Sequence, residues 1–252
     1  MTVGRACEEV ALITCALIDG AVAGRGGLGA VLASKNLKAV ILRGLRPTRP
    51  SSLEGTRSTL LGYARLGMLP RRNYSETWPA SSGVKLAECL LEHNLEANEH
   101  VLRVEDMLAL SANLVVTDPD AFLRLALRAM DLGLDPASLG NVLGWLIEAY
   151  EAGIVGRDEI GVRPSWGDVE ALMKLVDLTG SREGIGSILS LGVMRACRLL
   201  GRGSESLAVH VNGLEIAGPH PLGDLCLTLH YVTATPCDPL PPSSLVGLSE
   251  PS

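Results

Sequence analysis

The chain has 252 residues, of which 47% are hydrophobic and 20% are charged, with a formal net charge of -6. This composition predicts a globular protein with a hydrophobic core and argues against a disordered chain. The acidic balance excludes the basic face that nucleic-acid binding requires. No stretch has the roughly 18 uninterrupted apolar residues of a membrane span, and no secretory signal is recognised. The sequence therefore predicts a cytoplasmic protein without nucleic-acid or membrane partners.

The first motif along the chain is a glycine loop at residues 24–29, G-R-G-G-L-G, followed by an apolar run with helical spacing. Glycines let the backbone approach a ligand, amides at a helix start favour an anion, and Arg25 adds a planar, permanently charged donor. Three interpretations stay open: a nicotinamide dinucleotide site, a site for another phosphate-bearing cofactor, or glycines that allow close packing. A dinucleotide site requires a parallel sheet of alternating strands and helices, and the rest of the chain does not supply that pattern.

The elements after the loop are mostly helical. A helix is predicted over LGAVLASKNL, a strand over LKAVILRG ending at Gly44, and a boundary over the proline- and serine-containing residues 45–55. Further helices are predicted from Ser58, over the segment from Ser81 to Glu99, after the N-cap Asp118 with Pro119 at the first position, and from Pro136 to Gly153. A further helix is predicted from Ser165 to near Gly180, and another over IGSILSLGVMRACRLLGRG, which ends at Gly201 and Gly203. A short strand-like piece spans residues 206–216.

The predicted fold class is accordingly mainly α and multi-helical, with a small N-terminal α/β segment that contains the glycine loop. The six cysteines include no C-x-x-C pair and no histidine at metal-ligand spacing, so they are interpreted as small buried hydrophobes.

Several segments together resemble one family, the tungsten-containing aldehyde ferredoxin oxidoreductases. AGRGGLGAVLASKNLKAV is similar to the family's segment next to its pterin cofactor. Five further segments resemble family segments and follow in the family's order: GMLPRRNYSE, VEDMLALSANLVVTDPDAF, LGLDPASLGNVLGWLIEAYEAGI, WGDVEALMKLVDLTGSREGIGSILSLGVMRA and AVHVNGLEIAG. The resemblance divides the chain into residues 1–48, a remnant of the cofactor-binding domain, residues 49–237, one or more helical domains, and residues 238–252, a disordered Pro/Ser tail.

The resemblance implies a tungstopterin, with tungsten or molybdenum held between two pterins, and a [4Fe–4S] cluster that passes electrons to ferredoxin. It also implies oxidation of aldehydes to carboxylic acids, with the cofactor supplying the redox chemistry. The cofactor-binding residues that it implies are Gly24, Arg25, Gly26, Gly27, Gly29, Lys35, Asn36, Gly133, Leu134 and Asp135. It implies Glu105 and His220 as candidate catalytic acid–base groups, and it assigns no residue as a metal ligand.

Some of these residues have a second interpretation that needs no cofactor. Lys35 can cap the C-terminus of its helix, Asp135 can be a helix N-cap before Pro136, and His220 can be a plain loop residue, since a gapless alignment places Pro219 at the family's histidine. The alternatives stay open in each case.

The sequence also departs from the family pattern. Cys89 is the sole cysteine in the interval where the family has its C-x-x-C-x-x-x-C motif, so a normal four-thiolate cluster is not expected from this chain alone. Met130 occupies a position where the family's cofactor pattern has an acid. Met1 aligns partway through the family's first domain, and the family's C-terminal third has no counterpart. We therefore expect a truncated paralogue, inactive alone or active beside a chain that supplies the missing parts; a non-catalytic helical interaction module is the alternative.

Overall fold

A computed structural model describes residues 1–43, 102–216 and 225–233 of the chain. The N-terminal segment is short and mixed. Its elements are α1 (Arg5–Glu8), β1 (Ala16–Ile18), β2 (Ala21–Ala23) and α2 (Leu28–Ser34). Strands β1 and β2 form an antiparallel hairpin in which Leu17 pairs with Val22, and the glycine loop joins β2 to α2.

The rest of the described chain is mainly helical, as the sequence predicts. The helices are α3 (Val104–Met107), continued by a π-helical turn (Leu108–Ala112), α4 (Pro119–Leu132), α5 (Pro136–Glu151), α6 (Arg157–Ile160), α7 (Val169–Ser181), α8 (Gly186–Leu189), α9 (Val193–Leu200) and α10 (Leu225–Thr233). A 3-10 turn (Ser204–Leu207) and an antiparallel hairpin of β3 (His210–Val211) and β4 (Leu214–Glu215) lie between α9 and α10.

The boundaries of α4 confirm the predicted capping residues, and α5 ends at Glu151, two residues before the predicted Gly153. The Asp118 carboxylate accepts a hydrogen bond from the Ala121 amide at 3.3 Å, and Pro119 is the first residue of α4. Helix α4 ends at Gly133, whose φ of 79° lies in the left-handed region where glycine is favoured. The next helix begins at Pro136, three residues after Gly133, so a single short connection joins two long helices.

Helix α5 forms the centre of the core. Twelve of its 16 residues are buried, so it lies in the interior and has apolar contacts on most sides. The side chains of Leu143, Leu146 and Ile147 are fully buried there, in one hydrophobic cluster with Phe122 of α4 and Leu172 of α7. The fold therefore places the start of α5 on a rigid, well-packed element.

Three predicted elements differ in the structure. Helix α7 begins after Asp168, not at Ser165, because Gly167 has a φ of 72° that a helix does not accommodate and the Asp168 side chain caps the Ala171 amide. The helix predicted to end at Gly201 and Gly203 is divided into α8 and α9. The cause is Gly192, whose φ of 82° and ψ of 160° lie outside the helical region.

The strand predicted over residues 37–44 is shorter than predicted within its described part. Ala39 forms an isolated bridge with Thr2. On either side of it, the Val3 amide donates to the Lys38 carbonyl at 3.1 Å and the Val40 amide donates to the Met1 carbonyl at 2.9 Å, so residues 38–40 pair with the three N-terminal residues.

The N-terminal segment is fixed to the helical body by backbone hydrogen bonds. The Leu12 amide donates to the Ser190 carbonyl at 2.7 Å, the Cys15 amide to Gly133 at 3.0 Å, and the Asp135 amide to Ile13 at 2.9 Å. Residues 12–15 therefore run beside the connection between α4 and α5. This contact places the glycine loop next to the start of α5.

The strands of the described ranges form two separate antiparallel pairs, so these ranges contain no parallel sheet of the kind that a nicotinamide dinucleotide site requires. Within the same ranges, no helix combines the length and the apolar character needed to cross a bilayer. Several predictions lie outside the described residues: Gly44, the boundary at 45–55, the helices from Ser58 to Glu99 with Cys89, and the tail at 238–252. The division into residues 1–48, 49–237 and 238–252 stays a prediction.

Candidate functional site

The glycine loop leaves β2 and enters α2 through a series of left-handed backbone conformations. Gly24, Gly26 and Gly27 have φ values of 79°, 71° and 89°. A side chain at Gly27 would bring its Cβ to 3.0 Å from the Leu12 carbonyl oxygen, whereas Gly26 is exposed and has space beside it. The loop therefore needs glycine for its shape, and it leaves the backbone at Gly26 accessible to a ligand.

Gly29 has a different role from the other loop glycines. It is buried in α2, and a Cβ at this position would collide with the Cys7 sulfur and lie 2.5 Å from the Cys15 carbonyl oxygen. Gly29 thus allows α2 to pack against the start of β1. The packing interpretation of the motif applies to this residue, while Gly26 keeps the accessible backbone that ligand binding needs.

The Arg25 side chain turns inward from the loop and is 4% exposed. Its Nε donates to Asp135 Oδ2 at 3.1 Å, and its Nη2 donates to Ser138 Oγ at 3.0 Å and to the Glu215 carbonyl at 3.1 Å. The remaining nitrogen, Nη1, is buried and has no hydrogen-bond partner in the described part of the chain. A buried guanidinium donor normally has an acceptor, so Nη1 is a donor left over for an oxygen of another molecule.

Asp135 lies at the centre of a buried ion cluster. Its carboxylate is fully buried and caps α5 through the Ser138 amide at 2.8 Å. Oδ2 also accepts from Arg25, and Oδ1 accepts from Arg103 at 2.7 Å. The structure therefore supports both the N-cap interpretation of this residue and a place beside Arg25. Gly133 and Leu134 come to the same place through their backbone, which pairs with residues 13–15.

Sequence reasoning missed Arg103 and Asp106, which complete this cluster. The Arg103 guanidinium donates to both oxygens of Asp106, at 2.6 and 3.1 Å, and to Asp135 Oδ1, the oxygen that does not accept from Arg25. Asp106 is fully buried. Their spacing of three residues was the available signal, because residues at i and i+3 can face the same side of a helix.

The charges of the cluster shift the pKa values of its carboxyl groups in opposite directions. Burial by itself would raise the pKa of Asp135, but the guanidinium groups of Arg25 and Arg103 and the Ser138 amide outweigh burial and hold that pKa below its usual range. Burial dominates at Asp106 and raises its pKa, in spite of the hydrogen bonds from Arg103. Asp135 is therefore the carboxylate that stays ionised between the two arginines.

A small cavity of about 90 Å³ lies beside the loop. Gly26, Ser138, Arg195 and Glu215 contribute to its lining. The Glu215 side chain is buried and accepts a hydrogen bond from the Val193 amide at the start of α9, at 2.8 Å. The cavity thus connects the accessible backbone at Gly26 with charged groups of both signs.

The other residues implied by the resemblance lie elsewhere. Lys35 and Asn36 follow the last residue of α2, about 10 Å from the loop along the seven-residue helix, and Asn36 lines a separate cavity of about 240 Å³. Glu105 lies on α3 between the cluster residues Arg103 and Asp106 and is half-buried. His220 lies outside the described residues. The structure brings Arg25 and Asp135 together and does not bring Lys35 or Asn36 to them.

The described residues contain no group of three or more His, Cys, Asp or Glu side chains arranged to hold a metal ion. The described cysteines Cys7, Cys15 and Cys197 are buried and unpaired. Burial raises the pKa of the Cys7 and Cys15 thiols, so they stay protonated at neutral pH.

Comparisons with protein families match almost the whole chain. Residues 1–44 match the model described as aldehyde ferredoxin oxidoreductase, N-terminal domain, and residues 46–237 match the model described as aldehyde ferredoxin oxidoreductase, domains 2 & 3. The two models follow each other in the order of the chain.

Curated relatives agree with this match. The chain is 27% identical to the aliphatic sulfonate oxidoreductase, WOR-like subunit, of Pyrococcus furiosus, over 79% of this chain and 40% of that protein. It is 27% identical to the tungsten-containing aldehyde ferredoxin oxidoreductase of the same organism and 25% identical to that of Thermococcus kodakarensis, in each case over 92% of this chain and 46% of the relative. The chain thus spans less than half the length of the curated relatives it matches.

A solved structure has a similar fold. It is the active site complex BamBC of benzoyl coenzyme A reductase in complex with 1,5-dienoyl-CoA, with a TM-score of 0.67 and 20% sequence identity. The match covers 94% of this chain and 45% of that chain. At this identity the likeness shows the fold alone.

Proposed function

The chain belongs to the aldehyde ferredoxin oxidoreductase family, and we propose that its glycine loop holds the phosphate of a pterin cofactor in an oxidoreductase. The observation that carries this proposal is the buried Arg25 Nη1, which has no hydrogen-bond partner in the described part of the chain. A phosphate oxygen is an acceptor that suits a guanidinium donor, and the accessible backbone at Gly26 adds an approach for the same group. The residues therefore fit a phosphate-bearing ligand.

The cofactor would be a tungstopterin, since two of the relatives described above are named as tungsten-containing enzymes. When bound, it supplies the redox chemistry, which we propose to be the oxidation of an aldehyde to a carboxylic acid. The chain itself contributes binding and orientation: Gly24, Gly26 and Gly27 shape the loop, Arg25 supplies the donor, and Asp135 holds Arg25. Lys35 and Asn36 remain proposed contacts for a more distant part of the cofactor.

Glu105 and His220 remain the proposed acid–base groups. Glu105 lies next to Asp106 of the buried ion cluster, and the residue is half-buried, so part of it is accessible. We propose that such a carboxylate or imidazole takes up the proton released as the aldehyde is oxidised. Exchange of Glu105 for Gln would remove this capacity while preserving the size of the side chain.

We propose ferredoxin as the electron acceptor and a complementary chain as a partner. The relatives are more than twice as long as the matched portion, and Ile41 and Leu42 of the N-terminal segment are 89% and 91% exposed. Apolar side chains this exposed favour association with another surface. A complex with such a chain, detected by light scattering after co-expression, would support an enzyme completed by its partner; a clean monomer without metal would support the alternative of a non-catalytic interaction module.

Elemental analysis of the protein purified anaerobically from its native host tests the cofactor proposal. We expect near-stoichiometric tungsten or molybdenum, together with pterin fluorescence in the oxidised extract. The variant Arg25→Lys keeps the charge but lacks the forked donor geometry, so its metal and pterin content should fall. Arg128→Lys is the matched control, because Arg128 forms an exposed pair with Asp177 away from the loop. Absence of both metals and of pterin from the unmodified protein would refute the proposal.

A further inference from the structure

Arg103 bridges two buried carboxylates, those of Asp106 and Asp135. Its Nη2 lies 2.6 Å from Asp106 Oδ1 and 2.7 Å from Asp135 Oδ1, and its Nε lies 3.1 Å from Asp106 Oδ2. Its own backbone amide also donates to Asp106, at 3.0 Å. Asp106 therefore fixes the guanidinium from one side, so that it presents a defined edge to Asp135.

Asp135 transmits this arrangement to the loop. One carboxylate oxygen is occupied by Arg103, and the other accepts from Arg25 Nε and from the Ser138 amide. The side chain is 0% exposed, and both of its oxygens are held by donors of the protein. Asp135 therefore acts on a bound molecule through Arg25, although the family resemblance would place this residue in contact with the cofactor.

Arg25 depends on Asp135 for its orientation. The side chain rises from a loop of glycines, which imposes little restriction on the backbone, and its guanidinium is held by Asp135, Ser138 and the Glu215 carbonyl. Asp135 provides the sole charged partner in the described ranges. Loosening of that carboxylate would allow Arg25 to turn, and the free Nη1 would lose its direction.

We propose that Arg103 is a positioning residue, which locks the Asp135 carboxylate against Arg25 and thereby fixes the loop guanidinium for a phosphate-bearing ligand. The ligand part rests on the function proposed above, whereas the link from Arg103 to Arg25 does not. Groups in one salt-bridge network are energetically coupled, so a change at Arg103 reaches Arg25 across the shared carboxylate.

The test follows the Arg25 side chain by ¹⁵N NMR of arginine Nε–Hε groups, with the Arg25 signal assigned from its loss in Arg25→Lys. Two variants are compared: Arg103→Lys, which keeps the charge without the fork, and Arg103→Met combined with Asp106→Asn, which avoids leaving Asp106 as a lone buried charge. We expect hydrogen exchange of the Arg25 Nε–Hε group to accelerate about tenfold in the double variant and less in Arg103→Lys, as coupling within one network predicts. Arg128→Met, in an exposed pair, should leave the Arg25 signal unchanged.

The ligand part is read separately by titration with inorganic pyrophosphate. The unmodified protein should bind pyrophosphate with a shift of the Arg25 signal, and the double variant should bind about tenfold more weakly, in line with the same coupling. The positioning role would be overturned if the Arg25 Nε–Hε group exchanged in both folded variants at the same rate as in the unmodified protein. Failure of pyrophosphate to shift the Arg25 signal in the unmodified protein would instead count against the phosphate site, and the exchange rates would still decide the role of Arg103.

Discussion

Two helices of this fold begin with the same Asp-Pro pair, which provides a matched test of the ion cluster. Asp118 caps α4 and Asp135 caps α5, each through the amide three residues later. Asp118 is exposed and has no ion pair in the described ranges, whereas Asp135 is buried between Arg25 and Arg103. Exchange of each aspartate for Asn keeps a capping oxygen and removes the charge.

The expected cost of each exchange follows from these surroundings. Asn caps a helix about as well as Asp, so Asp118→Asn should lower the free energy of unfolding by no more than about 0.5–1 kcal/mol, from the lost interaction with the helix dipole. In Asp135→Asn, Arg103 keeps Asp106 as a partner, but the buried Arg25 loses its sole charged partner in the described ranges. Removal of one partner of a buried pair costs roughly 3–5 kcal/mol.

Urea unfolding followed by far-UV circular dichroism at neutral pH measures both variants on the same scale. Equal slopes against urea concentration would show that the two variants unfold from comparable native states. We expect Asp135→Asn to be at least about 2 kcal/mol less stable than Asp118→Asn, from the difference of the two ranges above. Two variants within about 1 kcal/mol of each other would refute the reasoning, because the cap would then account for the whole contribution of Asp135.

Three further predictions concern acid stability, packing and the core. The pKa of Asp135 is lowered from 3.8 in the folded protein, so the stabilisation by its carboxylate is present above that value and is lost as the pH falls through the folded pKa. Urea titrations across pH measure the difference in unfolding free energy between the unmodified protein and Asp135→Asn. This difference should stay constant above about pH 5 and become smaller below about pH 4. Gly29→Ala should cost about 1–3 kcal/mol in urea unfolding, because its Cβ would collide with Cys7 and the Cys15 carbonyl; a neutral effect would contradict the packing role. Phe122→Ala should cost about 3–5 kcal/mol, measured as a lower urea midpoint, because Phe122 is fully buried in the core; a loss below about 1 kcal/mol would contradict this position.

The sequence predicted the helix boundaries whose signals lie within a single turn. Asp118, Pro119 and Gly133 define α4 through a side-chain cap, a fixed φ and a left-handed terminus, and none of these depends on distant residues. The prediction was wrong where apolar periodicity runs across a glycine. Gly192 divides one predicted helix into α8 and α9, and its backbone conformation is set against the buried Glu215 carboxylate, which lies 2.7 Å from the position of an added Cβ.

The strand predicted over residues 37–44 is shorter in the structure for a related reason. β-propensity describes how a side chain fits a paired surface, so a strand also needs a neighbour of similar length. In the described part of this stretch, residues 38–40 pair with residues 1–3 through the Thr2–Ala39 bridge and the backbone hydrogen bonds beside it, so the pairing covers three residues. The pairing partner is a property of the fold and is not written in the segment itself.

The sequence by itself determined the family, the mainly helical class and the glycine loop with Arg25, because these depend on the order of local motifs. The tertiary structure decided what the loop residues do. Asp135 is 110 residues from Arg25 and 32 from Arg103 along the chain, yet both arginines donate to its buried carboxylate. A buried charge must be paired where the folded chain brings partners together, and that meeting depends on the packing of the whole molecule.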